Sequence, residues 1–256
     1  MGDEKPTVAR FAVASQNPQR LTSALLLADR IHLALVSISN GAEVFTGCDS
    51  SGKPLQGHRH AHILCESNPA LGRGSQGEVT HATIYAPMGF GLQEQEALQG
   101  LREVRGRSGP CVRLALLGLG QPQDFGGLDA GRGQSPLLAK SRTWISRTPF
   151  LPTRHPKATR AGAPKRDARG LQIGSPEHEL QRLLGLAGFP VPVAGTRLGG
   201  REALWREFQC WRSNGDGKRA ANGAGYGFRI EFPEPVRGPV AVGYASHFGM
   251  GGFGAE

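Results

Sequence analysis

The chain has 256 residues, 38% of them hydrophobic, with 30 Lys and Arg against 21 Asp and Glu and a formal net charge of +9. That length suits one large domain or two small ones, and the basic balance calls for a polyanion partner, whether RNA, DNA or an anionic surface. Cys48, Cys65, Cys111 and Cys210 are dispersed with no C-x-x-C pair, which excludes the usual disulfide framework and suits reduced thiols in a cytoplasmic protein. The N-terminus shows no apolar signal region, and the longest apolar stretch, Leu25 to Val36, is broken by Asp29, Arg30 and His32. A soluble chain with no membrane partner is therefore expected.

Taken in chain order, Thr7 to Ala14 predicts a strand and Leu21 to Ser37 a helix, because Leu21, Leu25, Ala28 and Leu35 share a face. Asn40-Gly41 ends that helix, and a turn-rich loop follows through Pro54. His58 to Cys65 and Glu78 to Ala86 predict two more strands, Leu92 to Val104 a helix, and Cys111 to Leu119 a buried strand. Strand, helix, strand, strand, helix, strand is the ferredoxin-like order. The second half is less regular. Leu137 to Ser146 is strand-like, Ser175-Pro176-Glu177 is a helix start running to Leu186, and Arg206 to Ser213, Tyr226 to Phe232 and Val240 to Ala245 predict strands before a glycine-rich tail. Asn214 to Gly225 would join the first two of these, as Asn68 to Gly77 joins the earlier pair. Trp144, Trp205 and Trp211 suit a core or interface. The expected fold is α+β, with a ferredoxin-like domain over 1–122 and a second, RRM-like domain over 135–256. The second carries a basic arm and helix over about 152–190.

Three features carry chemistry. Between Arg132 and Gly170 lie ten of the 30 cations (Arg132, Lys140, Arg142, Arg147, Arg154, Lys157, Arg160, Lys165, Arg166 and Arg169) and one acid, Asp167. Such a stretch is a grip for a phosphate backbone or a flexible solvated linker. His58-Arg59-His60-Ala61-His62 would put three imidazoles on one face of a strand, suited to acid–base work on a 2′-hydroxyl near neutral pH. The rivals are zinc binding with Cys65, opposed by the roughly 13 Å over which such a strand spreads three ligands, and plain packing. Third, the glycine-rich end, Gly243 to Gly254, could bring backbone N–H groups to a phosphate and offer His247 or Phe248 to a base, or be a flexible tail. No P-loop or dinucleotide fingerprint is present.

The stretch Gly238-Pro239-Val240-Ala241-Val242-Gly243-Tyr244-Ala245-Ser246-His247-Phe248-Gly249-Met250-Gly251 resembles the C-terminal glycine-rich loop of CRISPR repeat-processing endoribonucleases of the RAMP superfamily. Phe228 to Arg237 ahead of it, Gly52-Lys53-Pro54-Leu55 before His60-Ala61-His62, and Trp144 to Phe150 add to the likeness, which is nearest to type IV and type I-U/I-G processing proteins. The resemblance implies two ferredoxin-like domains, no cofactor or metal, and cleavage at a repeat hairpin leaving a 2′,3′-cyclic phosphate and a 5′-hydroxyl. It also implies product retention with other effector-complex subunits. On that footing His60 and His62 are acid–base candidates, and Arg30 and Arg59 charge stabilisers. Arg142, Arg147, Arg154, Lys157, Arg160, Lys165, Arg166, Arg169, Gly243, Ser246, His247, Phe248, Gly249 and Gly251 are the residues expected to touch RNA. The alternative is an inactive RNA-binding subunit of the same kind of complex. In much of that family the catalytic histidine lies in or just after the first helix; this chain departs from that pattern, its first helix offering only His32 and the loop from Ser39 to Gly57 no histidine.

Overall fold

Apolar residues recurring at helical spacing, and β-branched or small residues alternating along strands, build two α+β units, each around one antiparallel sheet. The computed structural model describes residues 4–67, 77–105, 111–128, 134–200, 202–210 and 224–256. The first unit takes the described residues up to Phe125 together with His247–Gly249; the second takes Gly126–Ser246 and Met250–Glu256.

In the first unit β1 (Val8–Ser15) is followed by a 3-10 turn and α1 (Ala24–Ile38), then α2 (Glu43–Thr46), β2 (His62–Ser67) and β3 (Val79–Tyr85). After these come α3 (Leu92–Gly100), β4 (Glu103–Val104), β5 (Val112–Gly120) and α4 (Pro122–Phe125). The sheet order is β2-β3-β1-β5-β4, so the first and third main strands pair side by side, as in a ferredoxin-like fold. Leu25, Ala28, Ile31 and Leu35 recur at helical spacing and bury one stripe of α1. Phe11, Ile63, Ala82 and Ile84 fill the sheet, and Phe45 stacks on Phe90 at 6.1 Å. Arg10, 2% exposed, is held by Glu66 at 2.5 Å and Thr83 at 2.9 Å.

Several expectations need correction here. The strand expected from His58 begins only at His62, because Gly57 and His58 adopt positive φ (81° and 50°) and turn the chain before it can pair. The helix expected to reach Val104 ends at Gly100, and Glu103–Val104 instead forms an edge strand against β5. β5 is not buried throughout: its residues alternate, and Leu117 is 52% exposed. Leu21–Ile38, with 18 residues and a mean hydropathy of 1.5, is long and apolar enough to cross a membrane despite Asp29 and Arg30, although half of it is buried inside the protein. A core helix passes the same test.

The second unit runs β6 (Lys140–Ser146), α5 (Pro176–Leu186), β7 (Ala194–Arg197), α6 (Glu202–Arg206), β8 (Phe228–Arg237), β9 (Val240–Ala241) and β10 (Gly252–Ala255). Its order is β7-β8-β6-β10-β9, the same second-third-first-fourth arrangement. Where the second helix of such a fold would come, the chain makes β9 and the glycine-rich loop. Trp144, Phe150, Phe228, Ile230, Phe232, Val242 and Phe253 form the core with Leu180 and Leu184 of α5. Ser175 caps α5 as expected, its Oγ accepting from the His178 N–H at 3.2 Å.

Here too the structure departs from the sequence reading. Val240–Ala241 is a two-residue strand, and the supposed glycine tail is β10, fully buried between β6 and β9. No strand covers Arg206–Cys210, where α6 ends; Trp211 to Ser213 and most of the joining segment lie outside the described residues. β8 pairs instead with β6 and with β7, a strand of four exposed residues that carries little apolar signal. Trp144 and Trp205 are buried as expected.

If β10 is a core strand, Phe253→Ala should cost about 3–5 kcal/mol, the range for emptying a buried aromatic site. Urea unfolding checks this; an unchanged midpoint would mean the tail is not part of the sheet.

Candidate functional site

In the first unit the chain from Gly57 to His62 wraps around His247. The His247 ring lies 3.7 Å from that of His60 with planes 8° apart, 3.8 Å from that of His62 and 5.4 Å from that of His58. His32 of α1 meets Phe248 edge-on at 5.2 Å. The sequence expected His58, His60 and His62 to be spread along a strand. They converge because His58 and His60 lie in the turn ahead of β2, and the fourth imidazole fills the space among them.

Two glycines make room for this. Gly47, which ends α2 with φ of 69°, lies under His60; a Cβ there would stand 2.8 Å from the ring. Gly249, with φ of 82°, passes β2 so closely that a Cβ would stand 2.9 Å from the Ile63 carbonyl oxygen. The hydrogen bonds fix proton positions. His247 Nδ1 is 3.1 Å from the Ala61 carbonyl oxygen, which only accepts, so Nδ1 carries the proton. A neutral imidazole has one, so His247 Nε2 accepts from His58 Nδ1, 3.2 Å away.

Crowded imidazoles resist protonation. Burial, then the neighbouring His58 and His32, brings His60 down to about 4. Burial and the rings of His62 and His60 hold His247 well below its ordinary value, against the opposing hydrogen bond to Ala61. His60 Nδ1 is buried with no hydrogen-bond partner among the described residues. Cys65 does not join this group. Its thiol, pushed up to about 12 by burial and then by Glu66, faces Ala24 of α1, since residues 62 and 65 lie on opposite faces of β2. Among the described residues no cluster of three or more His, Cys, Asp or Glu side chains is arranged to hold a metal; stacked rings direct their lone pairs sideways rather than to a common point.

The other expected catalytic residues are placed less closely. Arg59 is exposed between His58 and His60, its carbonyl accepting from the Met88 N–H at 3.2 Å. Arg30 lies two residues before His32 on α1, a spacing that sets the two on different faces, and its Nη1 is buried without a partner among the described residues.

The basic arm belongs to the second unit and is folded rather than a flexible linker. Backbone N–H groups of Lys157, Lys165 and Ile173 donate to Ile173, Lys157 and Lys165 carbonyls at 2.8–3.0 Å, making a double-backed loop. Its one acid is engaged internally: Asp167 Oδ1 accepts from the Arg169 and Leu171 N–H groups, both at 2.9 Å. The base is anchored on α5, where burial would raise the Glu179 pKa, yet hydrogen bonds from Arg182 at 2.8 Å and Thr153 at 2.9 Å and the charge of Arg182 hold it down. Arg154, Lys157, Arg160, Lys165, Arg166 and Arg169 are all exposed. Arg166 and Arg169 also donate to Gly170 and Gln181. Arg132 lies outside the described residues. Arg142 is half engaged, 3.9 Å from Glu231, and Arg147 is exposed beside Gly254.

The glycine-rich loop is similarly pinned. Tyr244 N–H donates to Leu151 and Gly251 N–H to Pro149, at 2.9 and 2.8 Å. A Cβ on Gly243 would meet the Leu151 carbonyl at 2.8 Å, and one on Gly251 would overlap that of Val242. Gly243 and Gly251 therefore form the stem of the loop, Ser246 N–H closes back on Gly243 at 3.3 Å, and His247 and Phe248 themselves belong to the first unit. The part played by His247, 189 residues from His58 in the chain, and that of Gly47 have no local sequence signal.

No protein-family model matches the chain, and no curated protein matches it. Two solved structures, each a Cas6 product complex, are similar to it. One is 13% identical with a TM-score of 0.37, covering 97% of this chain and 98% of that one. The other is 14% identical with a TM-score of 0.38, covering 98% and 99%. At that level neither assigns a residue or an activity here.

Depressed imidazole pKa values have a signed consequence. Unfolded, His60 and His247 bind protons near pH 6.5; folded, they do so only lower, so the unfolded state holds more protons in between. Stability should fall as pH drops from 6.5 toward 4. Urea unfolding across that window should show a steeper loss for the native chain than for His60→Gln; equal slopes would contradict the buried neutral cluster.

Proposed function

We propose that the chain binds CRISPR precursor RNA and cuts it at the repeat hairpin without metal, leaving a 2′,3′-cyclic phosphate and a 5′-hydroxyl. The product stays bound for effector assembly with other subunits. The observation that carries this is the cluster of four imidazoles in the first unit, in a chain whose second unit exposes six cations on a folded arm. Cleavage by an internal 2′-hydroxyl needs a base for that proton, an acid for the leaving oxygen and cations for the phosphate charge; imidazole suits the first, imidazole or water the second and guanidinium the third. The doubled ferredoxin-like arrangement and the resemblance of residues 238–251 to a repeat-processing loop point the same way. In this reading Arg154 to Arg169 grip the RNA backbone.

The stacking of the rings also favours a second reading, in which the cluster only packs and the chain is an RNA-binding subunit. The two part in one assay. Labelled repeat hairpin RNA in EDTA should be cut, and the same strand with a 2′-deoxy group at the cut site should not. Tight binding without cleavage would favour the second reading.

Replacing Lys165, Arg166 and Arg169 together by Ala should weaken RNA binding and lower the slope of log K against log salt by about 1 for each phosphate that these cations neutralise. A filter-binding salt titration with an unchanged slope would contradict the arm as the grip.

A further inference from the structure

The acid–base candidates named from sequence, His60 and His62, are not the rings best placed to meet a substrate. His60 is covered by Gly47 and by His247, and its Nδ1 is buried. His62, on β2, packs against His247 with the rings tilted by 30° and lies 6.4 Å from the Tyr85 ring. His58 alone of the three is exposed.

We propose that His58 is the catalytic base of the RNA cleavage put forward above, and that His247 is its positioning residue. The assignment rests on that functional reading and deepens it. The Ala61 carbonyl oxygen fixes the proton of His247 on Nδ1, which makes His247 Nε2 an acceptor. His58 must then offer Nδ1–H to it, so the lone pair of neutral His58 sits on Nε2, on the side of the ring away from His247. The rings of His60 and His62 against His247 keep it from rotating out of this line. A base held in tautomer and orientation by a second group, itself held by a third, is the logic that activates nucleophiles in many enzymes.

The backbone gives independent support. His58 has φ of 50° directly after Gly57 at 81°, a left-handed pair that histidine enters more readily than most side chains. This turn presents the His58 ring to His247 while the residue stays exposed.

In the reaction, His58 Nε2 takes the proton of the 2′-hydroxyl. The 2′-oxygen bonds to phosphorus, the bond from phosphorus to the 5′-oxygen breaks, and that oxygen leaves with a proton from water. His58 returns its proton to solvent. The glycine-rich loop tip thus acts on the base itself, where the sequence suggested that His247 touches RNA.

The test is single-turnover cleavage of repeat hairpin RNA by the full chain, with RNA binding measured in parallel. His58→Asn, which keeps a residue tolerant of the left-handed turn, should lose about 100-fold or more in rate with binding unchanged. Added imidazole should partly restore His58→Ala. His247→Asn should lower the rate and move the ascending limb of the pH–rate profile, a change that a purely structural role would not produce. If the native chain cuts and His58→Asn stays within about threefold of it, the assignment is overturned and the cleavage reading stands. If the native chain binds RNA without cutting, the cleavage reading falls and the assignment with it.

Discussion

Imidazoles packed with centroids 3.7–3.8 Å apart cannot readily be charged together. This constraint organises the first unit. Burial holds His60 and His247 neutral, the Ala61 carbonyl chooses which nitrogen of His247 keeps its proton, and that choice passes to exposed His58. Two left-handed glycines, Gly47 beneath one ring and Gly249 against β2, allow the approach. The cluster is therefore a packed element whose chemistry follows from its packing.

The second unit solves a different problem, that of displaying cations without leaving them on loose chain. Asp167 ties its own loop through two backbone N–H groups, and buried Glu179 fastens the base of the arm to α5 through Arg182 and Thr153. Backbone hydrogen bonds hold the remaining turns. An arm ordered in advance loses less conformational entropy when it meets a phosphate backbone than a free linker would.

Much of the architecture was legible. The strand-helix-strand-strand-helix-strand order of the first half, the capped start of α5 at Ser175 and the buried Trp144 all follow from local pattern. What failed did so where tertiary structure overrides local pattern. Gly252–Ala255 has the composition of a loose tail, yet it is a core strand because β6 and β9 supply its partners. His58 to Cys65 alternates like a strand, but the left-handed pair at 57 and 58 delays pairing to His62. The alternation of histidines at 58, 60 and 62 was visible; that His247 completes the group was not, since nothing local links residues so far apart. Gly47 carries the same lesson, as its importance lies in the ring above it.

The most direct test of the neutral, ordered cluster is nitrogen NMR of the full chain labelled at histidine, followed from neutral pH down through pH 6. The account predicts that His247 carries its proton on Nδ1 and stays neutral where a free imidazole is half charged, at about pH 6.5. A proton on Nε2, or a His247 that titrates like a free histidine, would contradict it.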